Sequence, residues 1–310
     1  ANFMRCSICH SENHSFYSET GPMMVDDVPD RRFRFLRCND CETVFLENPV
    51  DEQDLGEFYP DEYLPYRGEK AWGKYAGVVQ RQDHSLNRKR VRLVTKHLAS
   101  KKNTQVSILD IGCGKPDFLR AMKQHTQAEC YGIDFKAAQW DDPGYAGIHL
   151  SEESLDQYNT TERFDVITAW HYLEHDYRPA LTIEKCLKHL KPGGMVIIEV
   201  PMYQGLLAKI QKQYWQGWHT PRHINLFSFK SWDFLFPSSH WNIVAHHKYG
   251  TLDPFILWWL GRAEKKNIRW NASFESHFLN LAWLKGVTWP FFAWEKYIPL
   301  GIQTVIVQKK

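Results

Sequence analysis

Ile108-Leu109-Asp110-Ile111-Gly112-Cys113-Gly114 decides how this 310-residue chain is to be read. An apolar run ends in an acid and then in two glycines one residue apart. Pro116 follows, and then Asp117-Phe118-Leu119-Arg120-Ala121-Met122 with helical spacing. The pattern predicts a buried strand, a tight turn and a helix start. Glycine permits positive φ and lets the backbone approach a bound group closely. Helix-start N–H groups face the same space. Taken alone, G-x-G also fits an ordinary strand-to-helix turn.

The flanking sequence extends the pattern. Glu129-Cys130-Tyr131-Gly132-Ile133-Asp134 reads as a second strand, its terminal acid twenty residues beyond Gly114. An acid at that tip suits a ribose diol. Further strands are expected near Gly147–Leu150, at Arg163–Trp170 and, after the turn Lys191-Pro192-Gly193-Gly194, at Met195–Pro201. Apolar runs alternating with helical stretches indicate a parallel sheet covered on both faces.

Leu109-Asp110-Ile111-Gly112-Cys113-Gly114, Gly132-Ile133-Asp134, Phe164-Asp165-Val166-Ile167, Leu173-Glu174-His175 and Leu190-Lys191-Pro192-Gly193-Gly194 follow one another in an order that resembles class I S-adenosylmethionine (SAM)-dependent methyltransferases. The resemblance runs from about Gln105 to Val200. A dinucleotide dehydrogenase, the competing fold, has three glycines in its turn and lacks the Lys-Pro-Gly-Gly turn. The resemblance implies an α/β, Rossmann-like seven-stranded sheet. It places Asp110, Gly112, Cys113, Gly114 and Trp170 around SAM, with Asp134 on the ribose and Phe135 against the adenine. Pro116 stands where the family has a third glycine; proline is compatible with a first helical turn.

With histidines neutral the net charge is +2, which gives no general attraction to nucleic acid. The sequence shows no run of eighteen apolar residues and no leader of charged then apolar residues. The expected location is therefore cytoplasmic. Of seven cysteines, Cys113, Cys130 and Cys186 fall on core elements. The other four form two C-x-x-C pairs, Cys6/Cys9 and Cys38/Cys41, with the alternating strand Arg32–Arg37 leading into the second. Four thiolates suit a closed, structural zinc site of the ribbon type. Disulfides are the alternative reading. A four-cysteine module running into Val44–Pro49 and Phe58–Tyr63 also resembles the leader of bacterial small-molecule methyltransferases, sugar C-methyltransferases among them.

These readings divide the chain into a zinc-ribbon module (1–60), a linker and covering helix (61–100), a SAM-binding core (101–250), an aromatic helical insertion (251–300) and a final core strand (301–310). Two clusters are candidates for the chemistry. His171 and His175, four apart, flank Glu174 just beyond the fourth strand. The ubiquinone-type O-methyltransferases have a similar Leu-Glu-His associated with a divalent metal, which implies a metal at His171, Glu174 and His175. Hydrogen bonding that only fixes the loop is the alternative. The second cluster, Tyr214–Ser228, carries His219 and His223 as candidate bases and Arg222 as an anion ligand; simple packing is its alternative.

All of the 13 tryptophans except Trp72, Trp140 and Trp170 follow Tyr214. The insertion between the sixth and seventh strands is thus expected to form an apolar lid or acceptor pocket, a peripheral membrane contact, or plain packing. The combined expectation is a SAM-dependent methyltransferase acting on a small or lipid-linked metabolite, possibly a sugar, by O- or C-methylation with a histidine base. An RNA methyltransferase using the ribbon, and a non-catalytic SAM-binding or partner-binding protein, are the alternatives.

Overall fold

The apolar runs pair in a computed structural model that describes residues 4–27, 31–51, 53–59, 63–98 and 105–310. Three strands come first: β1 (His14–Thr20), β2 (Phe33–Cys38) and β3 (Val44–Leu46). Helices α1 (Leu64–Arg67) and α2 (Ala76–Leu98) follow. Then β4 (Ser107–Ile111), α3 (Asp117–His125), β5 (Glu129–Asp134), β6 (His149–Glu152), β7 (Phe164–Trp170), α4 (Pro179–His189) and β8 (Leu190–Pro201) run in turn. The chain ends with α5 (Leu206–Gln211), β9 (Asn225–Leu226), α6 (Phe229–Leu235), β10 (Trp241–His247), α7 (Pro254–Lys265), α8 (Phe278–Phe292) and β11 (Ile302–Lys309).

Seven strands form one sheet in the order β10-β11-β8-β7-β4-β5-β6. The five from β4 to β8 are parallel neighbours; β11 joins β8 antiparallel and β10 completes the hairpin. Every residue of β4 and β7 is buried, as strands covered on both faces require. The sheet therefore has the expected Rossmann-like form. Strand order reverses between β4 and β7, so a ligand belongs beyond their carboxyl ends. Asp165 lies at the other end of β7, accepting from Ser107 N–H (3.0 Å) and Lys191 Nζ (2.7 Å). The Lys191–Gly194 turn is absorbed into β8 as an outward irregularity: Phe164 pairs with Leu190 and Val166 with Met195. Gly193 turns that corner at φ +68°.

The second sheet has the order β1-β2-β3-β9. Its last strand comes from the segment after β8, so the cysteine module is completed by distant sequence. A core between this sheet and α7–α8 gathers Phe33, Phe35, Val44, Trp72, Trp215, Phe255, Trp259 and Phe274. The stretch read as a linker packs into it through Tyr63, Ala71 and Trp72. The boundaries expected at 60/61 and 100/101 lie outside the described residues.

Candidate functional site

At the end of β4 the chain turns through Gly112 (φ +68°) and Gly114 (φ +48°), in the left-handed region that glycine enters without strain. A Cβ on Gly112 would lie 2.4 Å from Tyr172 Cδ2, whereas one on Gly114 would meet open space. The amide of Gly114 donates to Asp134 Oδ2 at 2.8 Å, and that of Lys136 to Oδ1 at 3.2 Å. A carboxylate offers about four acceptor positions, so Asp134 retains capacity for a diol. Burial raises Asp134 above the ordinary carboxylate range, against those two backbone bonds. Asp110 is buried under a 2.6 Å bond from Thr168, and burial pushes it up to about 7. Cys113 lines the same turn as a buried thiol, its amide bound to Ile133 O. Phe135 is exposed and meets Tyr59 edge-on at 5.9 Å.

Trp170, buried at the end of β7, has an indole N–H with no partner. Arg90 of α2 stacks over its ring at 4.8 Å and reaches Thr251 Oγ1 at 3.4 Å. Sequence reading missed Arg90. Its signal was a cation within the stripe Asn87, Val91, Val94 and Leu98 that α2 buries. An open glycine face, an acid able to take a diol and a buried unpaired N–H suit an adenosyl cofactor in its expected place.

Next to this turn the structure assembles a histidine cluster. The rings of His175 and His223 are 4.5 Å apart and those of His219 and His223 4.8 Å. Tyr59 OH lies 3.1 Å from His175 Nδ1, and Tyr63 OH hydrogen-bonds His219 Nε2. Burial lowers all three histidines, His219 and His223 furthest, which keeps them neutral near pH 7. His223 Nδ1 is 2.8 Å from the Gly217 carbonyl and so carries the proton. This leaves Nε2 as the lone-pair nitrogen. Arg222 is fully buried and donates to the carbonyls of Phe58 and Met23. These two bonds tie it to distant segments, while its Nε is buried without a partner.

The metal set expected at His171, Glu174 and His175 forms differently. His171 has φ +53°, outside any helical turn, and its Nε2 lies 3.1 Å from Glu199 Oε1. Burial would depress it, but Glu174 and Glu199 hold the imidazolium up to about 9. Glu199 is held down to about 2 despite its burial, chiefly by His171. Both His171 nitrogens are thus committed to carboxylates. His223 takes its place: ligand atoms of Glu174, His175 and His223 all lie within 4.8 Å of one another. Glu174 is fully buried, 3.3 Å from His171 Nδ1 and 3.9 Å from His223 Nε2. Neither of its carboxylate oxygens completes a hydrogen bond. The cation beside it is the His171 imidazolium.

Cys6, Cys9, Cys38 and Cys41 converge, all four sulfurs within 4.8 Å. Cys6–Cys41 and Cys9–Cys38 are 3.5 and 3.4 Å apart, longer than any disulfide. Four sulfurs at ~2.3 Å from one tetrahedral zinc would sit about 3.8 Å apart, so the set needs little adjustment to hold it. Cys41 is already shifted toward thiolate, to about 5, by its hydrogen bond from Cys6.

A family profile described as a methyltransferase domain matches residues 80–246, which include the glycine turn, Asp134, the histidine cluster and the strands between them. The chain belongs to the methyltransferase-domain family. The ubiquinone biosynthesis O-methyltransferase of Stutzerimonas stutzeri (strain A1501) is 35% identical over 126 residues, 36% of this chain and 50% of the relative. Its counterpart from Nitrosococcus oceani is 32% identical over 160 residues, 47% of this chain and 61% of the relative. The chain thus spans about half the length of the first of these curated relatives. Among solved structures, coclaurine N-methyltransferase bound to N-methylheliamine and SAH aligns at a TM-score of 0.47 and 13% identity, over 72% of each chain. The plantazolicin methyltransferase BpumL, with a monoazolic desmethylPZN analog and SAH, aligns at 0.47 and 14%, over 79% of this chain and 96% of that chain.

Proposed function

We propose that this chain transfers the methyl group of SAM to a small or lipid-linked metabolite, a sugar being one candidate. The reading rests on Tyr59, which touches Phe135 on the cofactor side and His175 in the histidine cluster. One side chain thereby bridges the cofactor side and the histidine cluster. In O-methylation the acceptor oxygen attacks the sulfonium methyl, the S–CH3 bond breaks, and S-adenosylhomocysteine leaves. The hydroxyl proton passes to a neutral imidazole; His223 Nε2 is the best placed, with His219 and His175 beside it. In C-methylation the same base would take a proton from carbon next to a carbonyl.

Glu174, His175 and His223 also suit a divalent cation, which when bound would polarise an acceptor oxygen. His223 cannot be ligand and base through one nitrogen. Metal content separates the two uses: about one zinc per chain leaves the ribbon alone occupied, whereas a second metal lost in Glu174→Gln assigns the other site. Zinc at the four cysteines is read as structural. A cytoplasmic location is proposed on the same footing; among the described residues no helix is long and apolar enough to cross a membrane.

The RNA reading loses ground on the ribbon's charges. Arg5, Arg32, Arg34 and Arg37 each pair with a glutamate: Glu12, Glu19, Glu47 and Glu42. The non-catalytic reading rested on Pro116. That residue precedes α3 without disturbing it, and Arg120 N–H still bonds the Pro116 carbonyl at 2.9 Å. The deciding experiment follows radiolabelled methyl from SAM into fractionated cell extract, with His223→Ala in parallel. Label in small or organic-soluble molecules, lost in the variant while SAM binding persists, is the expected result. Label removed by ribonuclease, or none despite SAM binding, would overturn the proposal.

A further inference from the structure

His223 is a buried ring with an acceptor on each side. The Gly217 carbonyl lies 2.8 Å from Nδ1, and Glu174 Oε1 lies 3.9 Å from Nε2. A neutral imidazole carries one proton, and the nitrogen that holds it is closed to an acceptor's proton or a metal ion. The contact with Gly217 is the shorter, so Nε2 keeps its lone pair only while that carbonyl stays in place. Without it, Glu174 would draw the proton to Nε2. Space is what lets the Gly217 carbonyl sit there. Gly217 is buried and its backbone is not left-handed, so it needs glycine for room alone. A Cβ at 217 would fall 2.1 Å from Cη2 and Cζ2 of Trp215, closer than any real contact.

The indole against Gly217 is itself fixed. Trp215 is fully buried and meets Trp218 edge-on at 5.5 Å. The Trp218 amide donates to the Trp215 carbonyl at 3.1 Å and its indole N–H to the Lys212 carbonyl at 2.8 Å, while its ring lies 4.7 Å from Phe35. Both indoles belong to the core between the four-stranded sheet and α7–α8. In a close-packed interior such a ring has no room to retreat. We propose that Gly217 and Trp215 are positioning residues that fix the tautomer of His223 and keep its Nε2 open toward Glu174 and His175. Their part in methyl transfer rests on the function proposed above; the tautomer itself does not.

The test is nuclear magnetic resonance of the intact chain carrying isotope-labelled histidine, because imidazole nitrogen shifts distinguish the two tautomers. His223→Gln identifies the His223 signal. The unaltered protein should hold the proton on Nδ1. Gly217→Ala should move it to Nε2 and lower label transfer about tenfold or more, with SAM affinity unchanged. Trp215→Phe combined with Gly217→Ala removes the far end of the indole together with its unpaired N–H. That pair should return the proton to Nδ1 and restore transfer. A proton on Nε2 in the unaltered protein, or one that stays on Nδ1 in Gly217→Ala, would overturn the proposal. If Gly217→Ala alone does not fold, the unaltered protein and the double variant still decide, since Nε2–H in either one sinks it. Absence of label transfer by the unaltered protein would remove the proposed function and leave the tautomer result standing, so the two readings fail separately.

Discussion

Asp110 shows how far the site's chemistry is set by burial. It ends β4 beneath Thr168, and loss of water raises it to about 7 against that hydrogen bond and the charge of Arg90. The folded protein then keeps a proton that the unfolded chain releases near pH ~4. Stability from this group is complete below pH ~4 and is lost as pH rises to about 7. The slope approaches ~1.4 kcal/mol per pH unit where the two states differ by a full proton. Asp110→Asn keeps an acceptor for Thr168 and removes the titration. Urea unfolding of the SAM-free proteins should show a flatter pH profile for the variant between those limits. Parallel profiles would mean that Asp110 is ionised in the native state. At the same scale, sequence spacing brought His171 and His175 together as ligands, but the backbone of His171 sends its ring to Glu199 instead.

Among the elements, β9 does most to join the cysteine module to the chemistry. It begins two residues after His223 and pairs with β3, Asn225 against Phe45 and Leu226 against Val44. The Asn225 side chain accepts from Ser7 Oγ (2.6 Å) and donates to the Asp176 carbonyl (2.7 Å). Ser228, the N-cap of α6, donates to the Cys41 carbonyl at 2.9 Å. Both cysteine knuckles therefore brace the loop that carries His219 and His223. With zinc on the four cysteines as proposed, a chelator should raise amide exchange across residues 219–228 by about tenfold or more, while β4 and β7 stay protected. Unchanged exchange in that loop would show that the module folds on its own account.

At the scale of the molecule, the second core is assembled from segments that are far apart in sequence. Phe33 and Phe35 of the cysteine module, Trp72 after α1, Trp215 of the histidine loop and Phe255, Trp259 and Phe274 of the insertion share it. Trp72 lies 5.8 Å from Trp259 and 5.4 Å from Phe274, and Tyr75 stacks on Phe278 at 4.0 Å. Burying an aromatic side chain in such a core contributes on the order of 2–3 kcal/mol, and no segment completes this core alone. Calorimetry of the intact protein should show one cooperative transition, with the calorimetric enthalpy equal to the van't Hoff value. Two separated transitions would mean that the cysteine module or the insertion is an independent unit.

The parallel sheet, the glycine turn, Asp134 at its strand tip and the paired C-x-x-C knuckles were legible in the sequence, because each is a local pattern. Periodicity marks a buried strand, φ > 0 selects glycine, and ligand spacing within a knuckle follows from one short turn. The histidine site was legible in its residue types only. Glu174 meets His223 across 49 positions, Arg90 enters the cleft from a helix before β4, and β9 crosses to a sheet built mostly of N-terminal residues. These contacts depend on how loops of fixed composition pack over a finished sheet, which tertiary burial decides and no sequence period records. The aromatic insertion divides in the same way. Composition foretold its apolar surface, but only the fold determined that Trp259 and Phe274 would be buried while Trp283 and Trp289 face outward.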